Sequence, residues 1–196
     1  MPNTMLIPPD MAGVPNRLAS GAMTHHLEWT EQLRDGTSIV IRAIRNDDEL
    51  LEKEFIEGLS VESRRYRFRG TMNHPSAALV AELTHLAVCD AAFVAFKASD
   101  TLGPLIGVAR FSARNDLLDC ECAVAVADEW QKMGLATLLM RHLIDVARTR
   151  GTQCMYANSS VSNLALHDLA KNLGFKSQPN PNDRSEVIHT LDLHGE

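Results

Sequence analysis

No stretch of the sequence approaches the roughly 18 consecutive apolar residues that a membrane span needs. The N-terminus lacks the basic-then-apolar pattern of a secretion signal. Cysteine is scarce. Cys89, Cys120, Cys122 and Cys154 are the four, and no pair of them has the spacing of zinc ligands. No metal is expected, and the thiols are expected to be reduced and mostly buried in a cytoplasmic protein. Positive charge is also short: 19 Lys and Arg stand against 25 Asp and Glu, a net charge of −6. That balance speaks against a nucleic-acid partner and suits a cationic or amine-bearing one.

What is present is an ordinary globular composition, 45% hydrophobic and 22% charged over 196 residues, enough for one domain with its own core. Residues 1–24 carry Pro2, Pro8, Pro9 and Pro15 without periodicity and are expected to be a mobile arm. The folded domain is assigned to residues 25–196, with order expected from near Leu33. The adjacent His25 and His26 are read as incidental rather than as a metal site.

Ser38–Ile44 is a β-branched strand after a turn at Arg34–Thr37. Asn46–Asp48 supplies an N-cap and early acidic residues for a helix through about Gly58. Ser60 caps an arginine-rich helix, Val61 to Phe68, read as a solvated face with ion pairs to Glu57 and Glu62. Ser76 to Leu86 is a short helix, and Ala92–Ala98 with Ile106–Arg114 forms a hairpin. Cys120–Ala127 is a strand. Gly134–Arg150 is the clearest helix, with Leu135, Leu138, Leu139, Leu143, Val146 and Ala147 on one face and Gly151 as its stop. A strand at Cys154–Ser159 and a helix at Asn163–Leu173 follow. Gln178–Asp183 reads as a loop, and Val187–Leu193 as the last strand. The order predicts an α/β (α+β) single central mixed sheet with helices on both faces.

The segment running from Val124 and Val126 through Gln131, Lys132, Met133, Gly134, Leu135, Ala136 and Thr137 carries a strand into a loop and straight into the strongest helix. The first helical turn has N–H groups without internal partners and a partial positive charge. Gly134 and Ala136 keep that opening uncluttered, so it can cradle a pyrophosphate through backbone groups. An ordinary strand-to-helix turn remains the competing reading. The pattern is neither a dinucleotide fingerprint nor a P-loop.

Gln131-Lys132-Met133-Gly134-Leu135-Ala136 resembles the [QR]-x-x-G-x-[GA] acyl-CoA motif of GNAT-type N-acetyltransferases. Asn163, Ala165 and Leu173-Gly174-Phe175 resemble the family's fourth-helix signature, and the likeness covers roughly Arg34 to Leu193. A narrower likeness, at Leu33–Thr37, Ile41–Arg45, Leu59–Arg64 and Gly107–Arg110, is to the acetyltransferase domain of Pat-type bacterial protein lysine acetyltransferases. Such domains are often fused to a larger region; no fused region is expected here. The resemblance implies a GNAT fold, acetyl-CoA as cosubstrate, and Val124, Val126, Gln131–Thr137 and Asn163 as its binding residues. Many members have a tyrosine four residues before the glycine of Leu-Gly-Phe; here that position is Ala170, with His167 and Tyr156 as the nearest alternatives in sequence.

Alternation along the strand puts Glu121 on one face with Ala123, Ala125 and Ala127. A carboxylate in an apolar strand carries a desolvation cost that asks for a reason. The resemblance implies a general-base glutamate on this strand, and a solvated strand end is the alternative. An unperturbed lysine amine titrates near pH 10.4, so about one in a few thousand is neutral at pH 7, and only that form attacks a thioester. The expected activity is acetyl transfer to a primary amine, either a protein lysine or a small amine such as a polyamine, amino acid or aminoglycoside. A non-catalytic CoA-binding regulatory module is the alternative from another class. A homodimer is left open.

Overall fold

The computed structural model describes residues 27–68, 70, 72, 74–113 and 118–194. The arm assigned to residues 1–24, and His25 and His26, lie outside them. Among the described residues there are eight strands: β1 (Glu28–Gln32), β2 (Ser38–Ala43), β3 (Ala91–Lys97), β4 (Gly107–Ala113), β5 (Asp119–Val126), β6 (Cys154–Ser160), β7 (Lys176–Asn180) and β8 (Asp183–Asp192). They form one sheet in the order β1-β2-β3-β4-β5-β6-β8-β7. Only β5 and β6 run parallel; the other neighbours are antiparallel. Among the same residues, the α-helices that cover it are α1 (Glu49–Gly58), α2 (Val61–Phe68), α3 (Ala77–Thr84), α4 (Leu135–Thr149) and α5 (Leu164–Asn172). The expected mixed sheet with helices on both faces is what the structure has.

Helix α4 buries Leu135, Leu139, Met140, Leu143, Ile144 and Ala147 against Ile39, Ile41, Phe93, Ala109, Phe111, Cys120 and Cys122. Burying each large aliphatic chain is worth about 1.5–3 kcal/mol, so this face anchors the domain. The helix ends where Gly151 takes φ +79°, a left-handed value that favours glycine. The N–H of Thr152 then reaches the Ala147 carbonyl at 3.1 Å, and that of Gly151 reaches Arg148 at 2.9 Å. The opposite face carries α1 and α3, where Phe55, Ile56, Leu59 and Leu83 pack on Val94, Phe96 and Val108.

Two ion pairs are buried on that second face. Glu52 of α1 accepts from Arg110 of β4 at 2.6 Å. Asp48 accepts from both terminal nitrogens of Arg42, at 2.7 and 2.8 Å, and from the Arg45 N–H at 2.7 Å. Burial pushes the Asp48 carboxyl up, but the fork of Arg42 and the Arg45 N–H outweigh it and hold the group below the usual aspartate value. Asp48→Asn leaves Arg42 buried without its counter-charge, and should cost about 3–5 kcal/mol at pH 7. A depressed folded pKa means that the stabilisation is present above the unfolded value near 4 and is lost as pH falls through the folded one. Thermal melts of wild type and variant should therefore differ widely at pH 7 and converge below about pH 4. A gap that persists unchanged at pH 3 would rule out the charge account.

Three expectations need correction. Order does not begin at Leu33: β1 precedes it, held by Trp29 stacked on His142 at 4.1 Å and set edge-on to Phe93 at 5.0 Å. The Gln178–Asp183 loop is instead the end of β7 and the start of β8. Pro179 is tolerated because β7 is an edge strand, where a missing N–H breaks no inner ladder. Asn46 is not a cap; the short 3-10 turn Asn46–Asp48 is closed by the Asp48 carboxylate on the Arg45 N–H.

Candidate active site

Strands β5 and β6 pair only from Asp119–Glu121 to Cys154–Tyr156. Beyond that point β5 stays with β4 as far as Val126, and β6 stays with β8 as far as Ser160. The sheet is thus forked after Glu121. From Cys122 onward, the β5 edge facing the gap lacks a strand partner, and its backbone groups are available to an extended ligand. A cleft of about 810 Å³ occupies the fork.

One end of the cleft meets the start of α4. Lys132 takes φ +63° and Gly134 φ +96°, two left-handed residues within three positions. This coiled entry turns the first helical turn toward the cleft. The N–H groups of Leu135 and Ala136 find no acceptor among the described residues, as expected at a helix start. Thr137 and Leu138 turn theirs back to the Gly134 carbonyl at 3.0 and 3.2 Å, so fewer donors are free than the sequence suggested. The Arg34 N–H holds the Met133 carbonyl at 3.1 Å, and its side chain lines the cleft beside Lys132. The loop therefore offers free N–H groups, a helix dipole and two cations at one spot. These are the donors a pyrophosphate requires.

Helix α2 roofs the fork. The Asp128 carboxylate accepts from the Ser60 N–H (2.8 Å), the Ser60 hydroxyl (2.7 Å) and the Ser63 hydroxyl (2.8 Å). Partial burial raises its pKa, but these bonds outweigh that and lower it. Gln131 Nε2 ties Ser63 Oγ to the Val126 carbonyl, at 3.2 Å each. On the other side, the Tyr66 hydroxyl donates toward the Ser162 carbonyl at 3.3 Å. Sequence reasoning missed Asp128, Ser63, Tyr66 and Arg34. Their partners lie roughly 65 to 100 positions away, and no local signal marks them. Of the arginines of α2, Arg65 is solvated as expected, but Arg64 and Arg67 are not. Arg64 donates to the carbonyls of Glu57 and Leu59, at 2.8 and 2.6 Å. Arg67 lines the cleft, where burial pushes its guanidinium down to about 10 against the pull of Glu52 and Glu121.

Glu121, Val124, Val126, Gln131, Lys132, Gly134, Leu135, Ala136, Thr137 and Asn163 all line the cleft. Met133, expected among the binding residues, does not line the cleft; its side chain packs on the α4 core. Asn163 Oδ1 is committed to capping α5, accepting from Leu166 N–H at 3.1 Å. Glu121 is exposed, so the desolvation argument that singled it out does not hold; its mark is its place as the last paired residue before the fork. Ala170 lines the cleft, whereas Tyr156 and His167 do not.

Burial pushes the Cys120 thiol up to about 12 and that of Cys122 higher still. Neither is a nucleophile at neutral pH. Iodoacetamide at pH 8 should leave both unlabelled in the native protein, and Cys120→Ala should retain acetyl transfer. Rapid labelling of Cys120 without unfolding would contradict the burial account. Among the described residues no group of His, Cys, Asp and Glu could hold a metal, and no helix is long and apolar enough to cross a membrane.

A single mixed sheet forked between two parallel strands, with a helix start facing the fork, is the fold of a known class of acetyltransferases. The GNAT domain of S. lividans PAT superposes with a TM-score of 0.77 over 92% of this chain and 99% of that one, at 25% identity. YncA, described as a putative acetyltransferase from Salmonella typhimurium and solved with its cofactor acetyl-CoA, has the same fold. Its TM-score is 0.60 over 81% of this chain and 95% of that one, at 19% identity. The model of the acetyltransferase (GNAT) family matches residues 52–175. Acetyltransferase PA5475 of Pseudomonas aeruginosa is 42% identical over 166 residues, 84% of this chain and 89% of that protein. The chain belongs to the GNAT family of acetyltransferases, enzymes that transfer acetyl groups from acetyl-CoA.

Proposed function

We propose that the protein moves the acetyl group of acetyl-CoA to the side-chain amine of a protein lysine, with Glu121 as general base. The observation that carries this reading is the position of Glu121: a carboxylate at the mouth of the fork, on the face roofed by α2. The pyrophosphate sits on the N–H groups of Leu135 and Ala136, with Gln131, Lys132 and Thr137 around it and the Met133 and Gly134 backbone shaping the loop. The pantetheine arm extends along Val124 and Val126, opposite Asn163. The thioester carbonyl then lies near the fork, where unpaired β5 N–H groups can stabilise its developing negative charge.

Glu121 removes a proton from the incoming ammonium, directly or through one water. The amine nitrogen bonds to the carbonyl carbon, the C–S bond breaks and CoA leaves as thiolate. Direct attack within a ternary complex fits better than a covalent enzyme intermediate, because the cysteines at the fork are held protonated. The exposed Glu121, with Ala123 and Ala125 beside it, supports an acceptor as bulky as a lysine on a protein surface. The likeness to Pat-type domains around β2 and at the start of α2 points the same way. A small polycation is the second reading, favoured by Glu62 and Glu121 in one cleft and by the net charge of −6. Acetyl-lysine profiling of a lysate incubated with enzyme and labelled acetyl-CoA separates them. Specific protein lysines should gain label above the chemical background. Saturable turnover of one small amine with no labelled protein would overturn the lysine reading.

A further inference from the structure

One cation in the cleft has no task in the mechanism above. Arg67 of α2 lines the cleft together with Glu121. Its guanidinium carbon lies 4.7 Å from the centroid of the Phe68 ring, and no hydrogen bond or ion pair joins it to another described residue. The neighbouring cations are occupied. Arg64 donates to the carbonyls of Glu57 and Leu59. Arg110 donates to Glu52 at 2.6 Å and to the Leu83 carbonyl at 2.8 Å. Arg34 and Lys132 stand at the start of α4, by the pyrophosphate.

The sheet register says which part of the cleft Arg67 serves. Arg110 pairs with Ala123 and Ser112 with Glu121, so Arg110, Glu121 and Ala123 share one face. Helix α2 packs on β5, and the charges that act on Arg67 are Arg110, Glu52 and Glu121. Arg67 therefore stands near the base, on the acceptor side of the fork. Burial, and after it the like charge of Arg110, push its pKa down to about 10, so it is fully charged at pH 7. A guanidinium drawn out of water without fixed acceptors carries a desolvation cost. Its planar fork of N–H donors matches a carboxylate.

We propose that Arg67 is a carboxylate subsite, which receives an acidic side chain next to the acceptor lysine and so selects lysines with an acidic neighbour. This rests on the lysine reading above and sharpens it. Arg67 and Arg110 stand against Glu52 and Glu121. When Glu121 takes the proton of the acceptor ammonium it becomes neutral, and two cations then face one carboxylate, which is already held by Arg110. A carboxylate carried in by the acceptor restores the balance and gives the fork of Arg67 its acceptors. It also offsets the approach of the ammonium to a like charge. A polyamine would only add a further cation beside Arg67.

The test is a set of end-blocked peptides with one lysine and no other charge, in which a single glutamate, or glutamine in its place, is walked along both sides of the lysine. At the position that reaches Arg67, the wild type should favour glutamate over glutamine by about tenfold or more in kcat/KM. Arg67→Gln should bring that ratio close to unity, and Arg67→Lys should keep part of it. Arg67→Glu should favour arginine at the same position instead. A merely structural role would lower both peptides alike and leave the ratio standing. No preference at any position, or one that survives Arg67→Gln, would overturn the subsite. Free lysine compared with lysinamide, whose carboxylate is blocked, tests the other source of the same group. An Arg67-dependent preference there, with none among the peptides, would overturn the acidic neighbour in favour of a free amino acid. If the wild type acetylates no amine, the acetyl-transfer reading fails on its own. Calorimetric Kd values of the same peptide pairs on the CoA complex still decide whether Arg67 holds the carboxylate.

Discussion

Glu121→Gln should lower turnover by about 10²- to 10⁴-fold and leave CoA affinity nearly intact. The size follows from the protonation state of the acceptor. With about one amine in a few thousand neutral at pH 7, an enzyme that waits for the free base forfeits most of its encounters. A carboxylate that accepts the proton at the point of attack recovers that factor. Glu121 stands where β5 and β6 part, with Ala123 and Ala125 following it on the same face. Glutamine keeps its length and polarity, and the residue is exposed, so the strand register and the fork survive the change. The charge also acts on Arg67 across the cleft, so the variant should raise the charge imbalance there without emptying the core. Single-turnover thiol release at neutral pH should fall by that factor in the variant, while calorimetry with CoA returns a near wild-type Kd. A variant that turns over as fast as wild type would assign the base to water or to another carboxylate.

What could be read ahead of the structure was whatever the chain states locally. The spacing of Leu135, Leu139 and Leu143, with Gly151 behind them, is a statement about one helix and one face, and α4 follows it. The Gln131–Thr137 loop was readable for the same reason, since its function is carried by backbone at consecutive positions. The fork was not readable. It arises because β5 and β6 part after Glu121 and Tyr156 while each keeps the partner on its other edge, β4 and β8, and pairing across 35 positions leaves no periodic trace. Nor was the roof readable, because the Asp128 carboxylate finds Ser60 and Ser63 from 65 to 68 positions away. β1 was missed because Glu28-Trp29-Thr30-Glu31-Gln32 is short and polar. It becomes a strand through pairing with β2 and through Trp29 docking on His142 and Phe93. For Glu121 the position was right and the reason was wrong. It is exposed, and the structure marks it by topology rather than by burial.

Gly134→Glu should weaken CoA binding by about 100-fold or more while changing thermal stability little. Gly134 is the N-cap of α4 at φ +96°, and a side chain there is strained by roughly 1–2 kcal/mol. Space is not the obstacle. A Cβ at this position would lie 3.5 Å from the nearest atoms of Arg34, an ordinary contact. A carboxylate at a helix start also returns about 0.3–1 kcal/mol through the dipole, and Arg34 is at hand as a counter-ion, so the free protein recovers part of the strain. Those same interactions are what harm binding. The new carboxylate would take up the N–H groups of Leu135 and Ala136, neutralise Arg34, and set a negative charge against the pyrophosphate. A loss of about 3 kcal/mol corresponds to roughly two decades in Kd. Gly134→Ala separates the causes, because it carries the strain without the charge: it should lower stability by about 1–2 kcal/mol and Kd should rise less than about tenfold. Calorimetry with CoA on both variants, alongside thermal melts, gives the comparison. A Gly134→Glu protein that binds CoA as tightly as wild type would place the pyrophosphate away from the start of α4, and with it the whole run of the cofactor along Val124 and Val126.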